Sequence, residues 1–197
     1  MKKSLSLLLA LLAQTSLFTL VHAEGRIWNL PLVVADQNTT VTFEIDTTWH
    51  MVHGKTSGLT GDILLANAKD PNSIQATVHI PVKNFDTDDS SRDETLRESM
   101  AEPSFPEVVF RVARAEGLCS PESLKQKPEC SGLLVGSLKI RDIEREIKVP
   151  VTVKLENNKY RVEGMISFPW AAFGVEDPSI FIARVDPDVA VKFSVLL

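Results

Sequence analysis

The feature that most narrows the choice of folds is a period of two, repeated from one segment to the next with little between. Trp28, Leu30, Leu32 and Val34 share one side of the first run, and Val41, Phe43 and Ile45 one side of the second. Ile74, Ala76, Val78 and Ile80 alternate with Gln75, Thr77 and His79, and Val108, Phe110 and Val112 alternate with Val109 and Arg111. Further on, Leu134, Gly136, Leu138 and Ile140 form one set, and Ile147, Val149, Val151, Val153 and Leu155 another. Tyr160, Val162, Gly164, Ile166 and Phe168 follow, and Val189, Val191, Phe193 and Val195 close the chain. Successive side chains of an extended strand point to opposite faces, so each run predicts a strand with one dry face and one wet face.

The runs are joined by short turn signals: Asp36-Gln37-Asn38-Thr39, Ile143-Glu144 after Arg141-Asp142, Asn157-Asn158 and Asp186-Pro187-Asp188. Short connections make sequence neighbours into spatial neighbours, which predicts an antiparallel meander. With Gly54 to Leu65 as a further bent strand, the count is eight or nine. A sheet of that size with one apolar face either closes or splits into two layers. Closure removes exposed edges, so the expected fold is all-β, an eight-stranded antiparallel up-and-down barrel. Pro150 faces outward in its run, which suits an edge or a bulge. One segment departs from the period. Thr87 to Met100 has an Asp or Ser cap, early acidic residues and an apolar Leu96/Met100 pair four apart, which predicts a short helix flanking or capping the barrel.

The N-terminus reads as an export signal: Lys2 and Lys3, an apolar run from Leu5 to Val21, then Val21-His22-Ala23. Cleavage after Ala23 leaves residues 24–197 as a single domain of 174 residues, enough for a sizeable core. It also leaves 19 basic residues against 26 acidic ones, a net −7. That balance argues against a nucleic-acid partner, which needs a basic stripe. Cys119 and Cys130 flank a hydrophilic segment, which in an exported chain predicts one disulfide and a periplasmic or secreted location.

An eight-stranded barrel is the size at which the interior is either filled by side chains or holds one small ligand. The inward positions are aliphatic or aromatic, and Ala76, Gly136 and Gly164 among them leave room along the axis, so a guest there would be apolar. The alternative is that the glycines mark bends in a filled barrel. His50 and His53 are three apart, so a straight strand would put them on opposite faces, which cannot chelate one ion. Trp49 and Met51 share a face and suggest a packed rim. Arg92-Asp93 reads as a salt-linked helix start. Nucleophile elbows, metalloprotease helices and phosphate-cradling glycine loops have no counterpart in the sequence.

Several motifs in order resemble the YceI-like domain family of exported polyisoprenoid-binding proteins. They are Trp28, then Phe43-Glu44-Ile45 running to His50, and Gly58-Leu59-Thr60-Gly61. Next come Arg92-Asp93-Glu94-Thr95-Leu96 with Met100, and Phe105-Pro106-Glu107-Val108-Val109-Phe110. Gly136-Ser137-Leu138-Lys139-Ile140, Val149-Pro150-Val151 and Phe173-Gly174-Val175 complete the set. Asp142-Ile143-Glu144 and the Cys119–Cys130 loop depart from the family's pattern. The resemblance implies a lipocalin-like barrel whose lumen holds a long isoprenoid tail, of a quinone or a polyprenyl compound. The function it implies is non-enzymatic carriage or sequestration of that lipid, without cofactor or metal, by a monomer or homodimer making transient membrane contact. Lumen positions expected to touch the guest are Phe43, Val78, Phe110, Leu138, Val151 and Ile166, with Leu96 and Met100 as a lid and Trp28 or Trp49 at a mouth. The alternative is a filled barrel acting as an interaction or structural module in the cell envelope. A hydrolase or metalloprotein using His50, His53 or Asp93 is the third reading.

Overall fold

In a computed structural model, the described residues are 28–177, 179 and 184–197. The signal-peptide reading of residues 1–23 falls outside them. Ten strands form one antiparallel sheet. They are β1 (Leu32–Val34), β2 (Thr39–Thr47), β3 (Val52–Thr56), β4 (Thr60–Leu65), β5 (Ile74–Pro81), β6 (Glu107–Glu116), β7 (Glu129–Ile140), β8 (Ile143–Glu156), β9 (Lys159–Pro169) and β10 (Val185–Leu196). The all-β antiparallel barrel is borne out, with a count of ten rather than eight or nine. The strand order is β1-β4-β5-β6-β7-β8-β9-β10-β2-β3.

The extra strands have a simple origin. The run read as one bent strand from Gly54 to Leu65 is broken at Ser57-Gly58-Leu59, where Gly58 takes φ +71°. Its first half, β3, pairs with β2, and its second half, β4, pairs with β5 on one side and β1 on the other. Counting antiparallel steps round the sheet, β3 and β4 point the same way. One bent run thus changes partners half-way, and with it eight runs circle the axis while β1 is a short addition. The Asp36 carboxylate pins the break, accepting from the Gly58 and Leu59 amides at 2.9 and 3.3 Å.

One turn matches its sequence closely. Asn157 and Asn158 both have positive φ (50° and 63°), the backbone of a two-residue hairpin that twists with its strands. The turn read at Ile143-Glu144 falls on the two residues before it: Arg141-Asp142 joins β7 to β8 with Arg141 at φ 56°, and Ile143 and Glu144 already pair with Ile140 and Lys139. The turn expected at Asp186-Pro187-Asp188 is not one. These residues lie inside β10 as a bulge, with Val185 opposite Thr47 and Val189 opposite Ile45. The proline is tolerated because a bulge releases ladder donors. Pro150 sits where the β8–β9 ladder ends, since pairing runs only from Val151–Gly164 to Glu156–Lys159.

The expectation that glycines open the axis is corrected. A Cβ at Gly136 would overlap the Arg111 carbonyl oxygen, so that glycine permits two backbones to approach where β6 bulges between Val112 and Arg114. A Cβ at Gly164 would overlap the Phe193 ring, which occupies that space instead. Both glycines are consumed by packing, and the room in the barrel comes from elsewhere.

The two ends differ. At one end, α2 (Pro121–Gln126) packs Leu124, fully buried, under the barrel beside Leu118, Trp28 and Leu197. The Cys119–Cys130 disulfide ties α2 to the start of β7. At the other end lies α1 (Ser90–Ser99), which buries no residue of its own. A second cluster beneath it joins Val82, Met100, Val108, Leu138, Ile140 and Phe173.

Candidate functional site: the barrel lumen

Because odd-numbered positions of β2 and even-numbered positions of β5 face the axis, their side chains meet there. They do not fill it. A cavity of about 610 Å³ runs inside the sheet, within the range of ligand pockets. Its wall is built from every strand of the ring. Ile45, Ala76, Ile147, Val149, Val191 and Val195 all contribute. Ala76 is the small residue that keeps its own wall position short.

Of the residues singled out from sequence, Phe43, Val78, Phe110, Leu138 and Ile166 line this cavity. Trp28 lines it at the closed end, 2 % exposed and tilted against Tyr160 with ring centroids 5.9 Å apart. Trp28 is therefore a floor and not a mouth. Trp49 lines the opposite end while 70 % exposed. Leu96 and Met100 reach the cavity from α1 and its C-cap, so the helix does cover the opening. Val151 does not line it. It is buried at 3 % beside Gly164, the place the Phe193 ring takes over. Val191 and Phe193 were visible as the dry face of the last run. Trp170, Val175 and Arg184, which also border the opening, carry no periodic signal in the sequence.

The interior wall is apolar apart from Thr39 and Thr56, and the rest of the polar lining gathers at the open end. Thr47, His50, Thr87, Ser91, Arg92, Thr95, Ser99 and Arg184 stand there. No carboxylate side chain is among the lining residues. Arg92 and Asp93 are not paired with each other, which corrects the salt-linked reading. Both hold Thr87. Arg92 donates from Nε to Thr87 Oγ1 at 2.8 Å and from Nη2 to Thr87 O at 2.6 Å. Asp93 Oδ1 accepts from the Thr87 amide and hydroxyl at 2.9 and 2.6 Å. Thr87 is only 4 % exposed, so this clamp satisfies polar groups that burial would otherwise strand. Asp89 caps α1, and its carboxyl is held below the usual range by the Ser91 hydroxyl first and the Arg92 amide next.

The histidines separate as expected, but through a hairpin instead of a straight strand. β2 ends at Thr47 and β3 starts at Val52. His50 borders the cavity, while His53 points outward beside Glu44 at 3.5 Å. Glu44 is held low by its bond from Lys192 at 2.7 Å, with His53 a lesser cause. Among the described residues, no three His, Cys, Asp or Glu side chains converge as a metal site. The rim is not packed as expected, for Trp49 and Met51 are 70 % and 44 % exposed. Phe173-Gly174-Val175 has a clear task. Phe173 is buried edge-on to Phe168 with centroids 5.2 Å apart, Gly174 turns the chain at φ +68°, and Arg141 and Arg145 donate to the Gly174 and Ala172 carbonyls.

Among curated proteins none matches this chain. Solved structures do share the fold. Burkholderia cenocepacia BcnA superposes with a TM-score of 0.67 at 17% identity, over 81% of this chain and 96% of that one. A polyisoprenoid binding domain from Saccharophagus degradans gives 0.62 at 11% identity, over 83% and 95%. The Campylobacter jejuni YCEI protein gives 0.58 at 16%, over 74% and 84%. The model of the YceI-like domain matches residues 32–197, and the chain belongs to that family.

Proposed function

We propose that this protein is an exported, non-enzymatic carrier or sequestering protein for a long apolar lipid, polyisoprenoid or quinone-like, held in the barrel lumen. The observation that carries the reading is a cavity of about 610 Å³ walled by aliphatic and aromatic side chains inside a well-packed barrel. Proteins fill their cores to crystal-like density, so an apolar void of this size is a cost that a guest offsets. Burying an isoprenoid chain there gains roughly 25 cal/mol per Å² of apolar surface. The guest's tail would contact Phe43, Val78, Phe110, Leu138 and Ile166, and its polar end would sit at the rim near His50, Arg92 and Arg184. The Saccharophagus degradans domain of the same fold is a polyisoprenoid binding domain, which supports the choice of lipid. The Cys119–Cys130 disulfide suits an oxidising compartment, in keeping with the export signal read at residues 1–23.

Native mass spectrometry of the protein purified without detergent from its producing cell tests this. The expected result is a fraction carrying an added mass that organic solvent extracts as an apolar lipid. A protein that emerges empty, and stays empty when offered isoprenoid lipids, overturns the reading.

A further inference from the structure

The tip of the β2–β3 hairpin is built in an unusual way. Thr47 Oγ1 donates to the His50 carbonyl at 2.7 Å and accepts from the Trp49 and His50 amides at 3.4 and 3.2 Å. One hydroxyl thus ties the loop into a tight turn. A second tie comes from across the rim, where the Thr48 amide donates to the Arg184 carbonyl at 3.0 Å and the Arg184 amide donates to Thr48 Oγ1 at 2.9 Å. The loop therefore presents Trp49 outward at 70 % exposure in a held conformation, with Met51 at 44 % next to it. The other large exposed apolar residues among those described, Val33 and Met165, stand singly on other strands and need no partner.

The tip also has a distinctive chemistry. Residues 47–51 carry no acidic side chain, with exposed Asp46 before them and Asp186 and Asp188 on the neighbouring stretch of β10, and His50 and Arg184 border the same opening as the indole. An exposed amphipathic indole is a residue that settles at the boundary between lipid headgroups and acyl chains. Trp49 lies at that position while also bordering the lumen, so whatever it touches is continuous with the cavity.

We infer that the Trp49–Met51 tip is a bilayer-docking element that seats the open end of the barrel on a membrane surface, so that the lipid passes between membrane and lumen without crossing water. This rests on the carrier reading for its purpose, but the docking itself does not require a guest. A long apolar lipid has almost no aqueous concentration, so exchange through free solution would be slow. Contact between rim and bilayer removes that step.

Two measurements test it. The first is flotation of the guest-free protein with vesicles of phosphatidylethanolamine and phosphatidylglycerol, read with quenching by brominated acyl chains. Wild type should float, with a quenched indole that Trp49→Phe removes, and Trp49→Ala/Met51→Ala should bind about tenfold more weakly. The second is transfer of a fluorescent isoprenoid from loaded protein to such vesicles. Its rate should rise in proportion to vesicle concentration and fall about tenfold in the double variant and about threefold in Met51→Ala, a residue that does not line the cavity and whose loss should leave the amount of lipid held at equilibrium unchanged. A wild type that does not float, a transfer rate independent of vesicle concentration, or a double variant that transfers as fast overturns the proposal. So does a wild-type dimer in sedimentation that the double variant loses, because Trp49 would then face a second copy. If the protein floats but takes up no lipid, the docking stands and the carrier reading fails.

Discussion

The two ends of this barrel are made from the same strands and are held by different physics. The closed end is stapled. Leu124 and Val153 are fully buried, Val149 is nearly so, and a disulfide fixes the segment that carries α2. The open end is covered by a helix that buries none of its own residues, packs Leu96 and its C-cap Met100 against a small apolar cluster, and is clamped by polar contacts to Thr87. Burial of apolar area is strong and non-directional, whereas each hydrogen bond adds little net stability. The contrast teaches where the molecule can yield. An opening motion would cost least at α1, which is where a guest of the proposed kind would pass.

The largest expected effect breaks the firm end. Leu124→Ala removes a fully buried side chain and should cost about 3 kcal/mol by urea unfolding, because the cavity it leaves is walled by α2 and cannot collapse. A loss under about 1 kcal/mol would mean that α2 is not part of the core. Next, Asp93→Ala leaves the Thr87 amide and hydroxyl without their acceptor and should cost about 1–2 kcal/mol. It should also raise hydrogen exchange in α1 selectively, leaving β7 and β8 protected, and uniform loosening of both ends would deny the contrast.

The smallest effect concerns pH. Asp89 has its carboxyl lowered in the folded state, so its contribution is present above the ordinary carboxylate range and is lost as pH falls through the lowered value. Acidification below about pH 4 should therefore fray α1 before the closed end responds, as seen by hydrogen exchange or helix-specific circular dichroism. Asp89→Asn, which keeps a cap without the charge, should flatten that dependence.

Much of this architecture could be read from residues. The strands of the meander follow from period-two runs such as Ile147 to Leu155, because each residue there faces either the core or water. The helix followed from Asp89, Asp93, Leu96 and Met100, whose caps and spacing are local. What escaped was set by partners distant in sequence. The break at Gly58 looks like one bend until β2 and β5 are both known to claim the same run. Asp186-Pro187-Asp188 has the composition of a turn, and a bulge uses the same residues for the same backbone reasons. Val151 lies on the dry face, yet Phe193 from β10 shields it from the cavity. Trp170 and Arg184 reach the rim from irregular segments, for which a strand period has no meaning.

The central claim is that open space along the axis, and not any outer surface, receives the guest. Ala76→Phe tests it most directly, since Ala76 borders the cavity from β5 and a ring there projects into the void. The measurement is equilibrium uptake of a C20 isoprenoid alcohol by wild type and variant, with the thermal transition of both recorded. The account predicts a folded variant of near-native stability whose uptake falls at least tenfold, the 1.4 kcal/mol lost when a tail can no longer be accommodated. A folded Ala76→Phe protein that binds the alcohol as tightly as wild type would contradict it.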